Sequence, residues 1–117
     1  MGALENLLSE KIKRASVQLA DGELVVPYLE ALEAIRIATE NEIAVLSVDS
    51  HEMRDGSILT IDLYDGSTMI KYAGDWRAFV QQLNDAAEDW ITGPRLGQNH
   101  GYILTSASRD EFSRLKT

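Results

Sequence analysis

The spacing of apolar residues along this chain predicts three amphipathic helices, at residues 3–15, 27–41 and 76–91. In each segment apolar side chains recur every three or four positions, which is the period of a helix with one buried face. The predicted buried stripes are Leu4, Leu8, Ile12 and Ala15, with Leu7 beside them; Tyr28, Leu32, Ile35 and Thr39; and Trp76, Phe79, Val80, Leu83, Ala87, Trp90 and Ile91.

Helix-ending and helix-starting residues lie at the expected places around these segments. Pro27 is predicted as the first residue of the second helix and Asn41 as its terminator. Asp75 is predicted to cap the third helix, which ends at Gly93 and the proline after it. Ser108 and Glu111 have the spacing of a capping box that opens a short helix, with Phe112 and Leu115 facing inward.

Segments rich in β-branched residues predict about four strands, at residues 42–53, 57–64, 68–73 and 101–106, while residues 17–26 form either a small hairpin or a loop with one strand. Two Asp-Gly-Ser tripeptides, at 55–57 and 65–67, separate the first three strands. Apolar residues occupy positions where a calcium loop of the EF-hand type needs oxygen ligands, so both tripeptides are interpreted as hairpin turns. The expected fold class is α+β, an antiparallel sheet with helices packed on one face.

Two-residue turns at both tripeptides would fix the register of the sheet and the composition of its faces. The core face would carry Leu46, Val48, Leu59, Ile61, Leu63, Ile70 and Tyr72. The opposite face would carry Asp49, His51, Thr60, Asp62 and Lys71, surrounded by Met53, Ile58, Tyr64 and Met69, with Asp49 directly across from Asp62.

This second face has three interpretations. It is a solvated face with a small charge network around Lys71, or a partner-binding surface formed by Asp49, His51, Asp62, Tyr64 and Lys71, because Met and Tyr make it more apolar than solvent requires. A metal site built from Asp49, His51 and Asp62 is the least favoured, since a flat sheet face rarely brings three ligands together. We therefore expect neither a metal nor another cofactor.

Composition narrows the classes of partner. A chain of 117 residues suits one domain spanning 1–117. With 11 basic and 19 acidic residues its net charge is −8, which disfavours nucleic acid and anionic membranes and favours a basic protein. The absence of cysteine, of a signal peptide at the N-terminus and of a long apolar run leads us to expect a cytoplasmic protein.

No catalytic motif is present, so we expect a protein-binding domain rather than an enzyme. His100, in a Gly-flanked loop, has no Ser, Cys or second His at a recognisable spacing. One alternative is an enzyme or ligand-binding domain that uses the His100 loop or the face containing Asp49, His51 and Asp62. Another is a homo-oligomeric structural protein whose mixed sheet face is self-complementary.

Residues 30–92 also resemble a known class of proteins. The sequence EALEAIRIATENEIAVLSVDSHEM, a hairpin that ends at Asp-Gly, and then DWRAFVQQLNDAAEDWI are similar to small immunity proteins of bacterial polymorphic toxin systems. The resemblance lies in apolar and aromatic positions and transfers no binding residue. It implies a bacterial cytoplasmic protein that neutralises a basic toxin encoded beside it, in agreement with the acidic charge.

Overall fold

The computed structural model describes residues 3–54, 57–93 and 100–115, and for 53, 54 and 57–61 it describes the backbone alone. Its helices are α1 Ala3–Leu7, α2 Glu10–Ala15, α3 Tyr28–Glu40, α4 Trp76–Thr92 and α5 Arg109–Leu115. Its strands are β1 Val17–Gln18, β2 Leu24–Pro27, β3 Ala44–Arg54, β4 Ser57–Asp65 and β5 His100–Ala107. Neighbouring strands are antiparallel, in the order β1-β2-β5-β3-β4. The predicted α+β class is confirmed, with a five-stranded sheet instead of about four strands.

The two long helices lie side by side on one face of the sheet. The indole N–H of Trp76, at the start of α4, donates to the carbonyl oxygen of Glu42, just after α3, at 2.7 Å. The helices therefore run in opposite directions. Beneath them the main core joins α1, α2, α3 and the second half of α4 to β3 and β5. A second core joins the first half of α4 to α5, Ala44 and Leu46.

Asn84 is a polar residue on the buried face of α4, with 1% of its surface exposed. Its Oδ1 accepts from the N–H of Val45 at 2.8 Å, and its Nδ2 donates to the carbonyl of Ile43 at 3.0 Å and to Oγ1 of Thr39 at 2.9 Å. These bonds satisfy backbone groups in the tight connection from α3 to β3, where Glu42 has a φ of 56°. One side chain thus joins α4, α3 and β3.

The single helix predicted over residues 3–15 is wrong, because the chain breaks at Ser9. Oγ of Ser9 accepts from the N–H of Ile12 at 3.3 Å and caps the N-terminus of α2. The period of apolar residues continues across Ser9 and therefore does not reveal this break. The stripe itself is confirmed for Leu4, Leu8 and Ile12, which are buried. Ala15 is exposed, so its predicted place on the buried stripe is wrong.

The second Asp-Gly-Ser does not form the predicted hairpin turn. Oδ1 of Asp65 accepts from the N–H of Ser67 at 3.1 Å and starts a 3-10 turn at Gly66–Thr68. Gly66 is buried, and a Cβ there would lie 3.0 Å from the Tyr64 hydroxyl and 3.1 Å from Cδ2 of Leu83. A larger residue at this position would push the Tyr64 and Leu83 side chains aside. The predicted strand at 68–73 is absent from the described structure.

A bulge in β4 changes which side chains face the helices. The pairing runs as predicted from Arg54 with Ser57 to His51 with Thr60, and then shifts so that Ser50 pairs with Asp62. The extra residue reverses the alternation that follows it. Tyr64 therefore faces the helices, and Leu63 is 64% exposed on the opposite face, which contradicts both predictions. The side chains of Leu59 and Ile61 lie outside the described part of the chain.

The predictions for the ends of α3 and for the C-terminal helix α5 are confirmed only in part. The capping box is confirmed, because the Ser108 N–H donates to Oε1 of Glu111 at 2.8 Å and the Glu111 N–H donates to Oγ of Ser108 at 3.2 Å. Phe112 is buried as predicted, whereas Leu115 is 70% exposed and its inward placement is wrong. Pro27 ends β2 immediately before α3 instead of starting the helix, and Asn41 follows the last turn as expected.

Candidate binding surface

The five residues predicted as a partner-binding face do not share one surface. Asp49 and His51 lie on the sheet face opposite α4, whereas Asp62 and Tyr64 lie beyond the bulge on the helix-facing side. Asp49 pairs with Leu63, so the predicted Asp49–Asp62 pair does not form. Lys71 is exposed in the irregular segment after the 3-10 turn and not on a strand. The sheet register thus separates residues that the sequence had placed together.

Tyr64 connects the edge strand to α4. Its ring stacks on Trp90 with centroids 5.2 Å apart and an interplanar angle of 21°, and the Trp90 indole N–H donates to Oγ of Ser50 at 3.4 Å. Burial raises the pKa of Tyr64, and the carboxylates of Asp65 and Asp89 raise it further. A phenol with a raised pKa stays neutral at physiological pH, so this contact is an aromatic packing contact.

The two histidines lie on neighbouring strands and on opposite sheet faces. His51 pairs with Gly101 and has 7% of its surface exposed, while His100 begins β5 and pairs with Glu52 of β3. The Glu52–His100 pair could not be found from the sequence, because 48 positions separate the two residues and no local motif marks either one. Among the residues described, no three His, Asp or Glu side chains are grouped as metal ligands.

An acidic groove of about 370 Å³ runs between the outer faces of α3 and α4. We use "acidic groove" for this feature, which is lined by Leu32, Glu33, Ile35, Arg36, Thr39, Gln81, Asp85 and Glu88. Arg36, the cation among the described residues that line the groove, is 3.9 Å from Glu33 and 2.7 Å from Glu40, so its charge is already compensated. The carboxylates that line the groove without an ion pair, Asp85 and Glu88, therefore lie on its α4 wall.

Three carboxylates at the end of α4 extend this acidic character. Asp85, Glu88 and Asp89 are exposed and form no ion pair with any residue in the described ranges. Asp85 accepts from the Gln81 amide at 2.8 Å, a neutral contact that leaves its charge uncompensated. We call these three residues, which continue one wall of the acidic groove, the α4 acidic trio.

The α4 acidic trio lies where negative charge destabilises a helix. Like charges three or four positions apart each cost about 0.2–0.5 kcal/mol. The negative end of the helix dipole adds a further cost of about 0.3–1 kcal/mol for an acidic residue in the last turn. That turn contains no basic residue, and neither does the last turn of α3, which contains Glu40. Solubility alone would be served equally well by acidic residues at the start of α4, where the same dipole favours them.

The sequence identifies these acidic residues, but its pattern indicates only that they lie on the solvent-facing sides of two helices. The overlooked signal is the combination of three carboxylates within five positions and the lack of any Lys or Arg in the same turn. The groove itself depends on the packing of α3 against α4, which a period of apolar residues does not specify.

Comparison of the chain with protein-family models, with curated proteins and with solved structures finds no match. In the described ranges, every helix is too short or too polar to span a bilayer. The function is therefore proposed from the geometry and the charge of this chain.

Proposed function

We propose that this protein is an acidic, non-enzymatic binding domain that uses the acidic groove and the α4 acidic trio to bind a basic protein. The observation that carries the proposal is the position of Asp85, Glu88 and Asp89, which are exposed, form no ion pair among the described residues and lie where their charges destabilise their own helix. Local departures from stability rules of this kind are typical of functional surfaces.

The electrostatics suit a basic partner in two steps. The net charge of −8 attracts a cationic surface over distances of about 8 Å, the screening length at physiological salt. At contact, unpaired carboxylates accept charge-assisted hydrogen bonds from Lys and Arg. Arg36 does not oppose this approach, because Glu33 and Glu40 already neutralise it.

The biological role that we propose is that of an immunity protein. Residues 30–92 resemble the immunity proteins of bacterial polymorphic toxin systems, and this range contains the acidic groove and the α4 acidic trio. An acidic protein can block a basic toxin through charge complementarity without carrying out chemistry. The proposal places the protein in a bacterial cytoplasm, with the gene of its toxin beside its own.

The first experiment compares two variants with the same net charge. The test variant carries Asp85→Asn, Glu88→Gln and Asp89→Asn; the control carries Glu10→Gln, Glu23→Gln and Asp110→Asn at exposed positions outside the acidic groove. Each protein is immobilised and exposed to an extract of its source cells, and retained proteins are identified by mass spectrometry. We expect one basic protein to be retained by the wild type and the control but not by the test variant.

Two results would contradict the proposal. Retention of acidic partners or nucleic acid alone would exclude a basic target. Equal loss of the basic partner in both variants would show that net charge matters and that the α4 acidic trio does not form the contact.

A further inference from the structure

A partly enclosed cavity of about 190 Å³ lies beneath α1, on the helix-facing side of β2 and β5. Leu4 of α1 and Leu8 after it form one side, and Ala34 of α3 forms another. Val26 and Leu104 form the floor. None of these residues lines the acidic groove, so this is a second feature of the molecule that the proposed function does not use.

The cavity is lined by apolar side chains together with polar and acidic residues, among them Thr105 and Ser106. Its apolar side chains belong to the main core, in which Ala34 is fully buried. Two carboxylate residues, Glu5 and Glu23, also line the cavity, and no Lys or Arg among the described residues does. Neither glutamate forms an ion pair within the part of the chain that the structure describes. A charged ligand in this cavity would therefore meet negative charge only.

A second depression adjoins the cavity. This depression shares Glu5 and Leu24 with the cavity and continues along Lys13, Ser16, Gln18 and Gly22. Lys13 and Glu5 both line this depression, whereas Lys13 does not line the cavity.

We propose that this cavity binds a small amine, with its apolar body between Leu4, Leu8 and Ala34 and its ammonium group at Glu5 and Glu23. A cavity of about 150 Å³ lined by aliphatic and aromatic side chains is large enough for benzene. The space of about 190 Å³ therefore suits a phenyl ring or a short alkyl chain with a terminal ammonium group. Charge complementarity selects the cation, because a carboxylate of the same size would face two unpaired glutamates.

Three probes of nearly equal size test the charge preference: 2-phenylethylamine, 2-phenylethanol and phenylacetate. Each is titrated into the full-length protein while backbone amide shifts are followed by NMR. We expect saturable shifts from the amine at Val26, Ala34 and Leu104, affinity lower by roughly tenfold for the alcohol, and no saturation with phenylacetate.

Two variants separate the cavity from non-specific attraction to an acidic protein. Glu5→Gln with Glu23→Gln should weaken the amine roughly tenfold and leave the alcohol unchanged. The matched pair Glu10→Gln with Asp110→Asn removes the same charge away from the cavity and should leave the amine affinity unchanged. Ala34→Leu should abolish binding of both probes by filling the cavity, with amide spectra confirming that the variant is folded.

The proposal is overturned by any of three results. The amine and the alcohol bind equally; the matched pair weakens the amine as much as the Glu5 and Glu23 pair does; or no probe gives saturable shifts up to about 10 mM, a concentration beyond the range of specific affinities. None of these results depends on the basic partner, so failure here leaves the proposal for the acidic groove intact.

Discussion

The inner and outer faces of α4 follow the rules of helix stability to different degrees. On the inner face Trp76, Phe79, Val80, Leu83, Ala87 and Ile91 are all buried, and Asp75 caps the first turn through a hydrogen bond to the Ala78 N–H at 3.1 Å. On the outer face the α4 acidic trio has like charges at helical spacing, and Asp89 lies in the last turn, at the negative end of the dipole.

The stability of the fold explains the residues of the inner face, but it does not explain the acidic residues of the outer face. Every inner residue contributes to stability through burial, and even the polar Asn84 is fully hydrogen-bonded. The outer face reduces stability by about 1 kcal/mol in total when its like-charge and dipole terms are combined. Binding to a basic protein would compensate the same charges, which is why we assign function to this face.

The largest expected effect is on the inner face, at Leu83. Leu83 is fully buried, so Leu83→Ala should lower the free energy of unfolding by about 2–5 kcal/mol through lost burial and a cavity. Urea unfolding followed by circular dichroism measures this change. The exposed neighbour Gln82→Ala is the control and should change stability by less than about 0.5 kcal/mol. A similarly small change for Leu83→Ala would contradict the buried assignment of this face.

Asn84 gives the next largest effect on the same face. Asn84→Ala leaves the buried N–H of Val45 and the carbonyl of Ile43 without their partner. A loss of about 2–3 kcal/mol is expected, because each buried polar group left unpaired costs about 1–3 kcal/mol. Hydrogen exchange should speed up at Val45 before it does in the rest of β3. Unchanged exchange at Val45 would show that the side chain does not hold this connection.

Neutralising the outer face should have a smaller effect of opposite sign. The variant Asp85→Asn, Glu88→Gln, Asp89→Asn should gain about 0.5–1 kcal/mol of stability at low salt, because like-charge repulsion and the unfavourable dipole contact are removed. Thermal unfolding at low and high salt measures the gain, which salt should diminish. A loss of stability would mean that these carboxylates have folded-state partners, and it would remove the basis of the comparison.

Glu111 is an acidic residue at the opposite kind of helix end and has the smallest expected effect. Hydrogen bonds from the Ser108 N–H and hydroxyl and from the Ala3 N–H lower the pKa of Glu111 from its usual range, although burial opposes the shift. Because the folded-state pKa is the lower one, its stabilisation is present above the unfolded pKa and is lost as pH falls through the folded value.

Glu111→Gln should therefore destabilise the protein slightly near pH 7 and have less effect below the folded-state pKa. The measurement is the difference in free energy of unfolding between wild type and variant across that range. A difference that grows as the pH is lowered would have the wrong sign and would contradict the capping role.

The helix α4 was predicted correctly from the sequence, whereas the turn at the second Asp-Gly-Ser was not. The limits and cap of α4 were predictable because its apolar period is long and its cap is local. The first tripeptide, at 55–57, lies partly outside the described residues, so its predicted turn stays a prediction. In the second, no local rule shows that Gly66 packs against Tyr64 and Leu83 and starts a 3-10 turn. Tertiary contact decided that outcome.

The candidate site was less predictable than the fold. One extra residue in β4 moved Tyr64 to the helix side and separated Asp62 from Asp49, and sequence alternation contains no sign of such a bulge. The acidic groove requires α3 and α4 to be adjacent and antiparallel, which is a property of their packing. The sequence shows which residues carry carboxylates, but it does not show that they lie close together in the fold.

The association rate of the basic partner is the most direct test of the central claim. Once the partner is captured, its association with wild type, the neutralised α4 acidic trio and the matched control is measured at about 50 mM and about 300 mM salt. The account predicts that salt slows association for wild type and control more than it speeds dissociation, and that the trio variant associates slowly at both concentrations. Equal rates for the trio variant and the control, or a wild-type rate indifferent to salt, would contradict it.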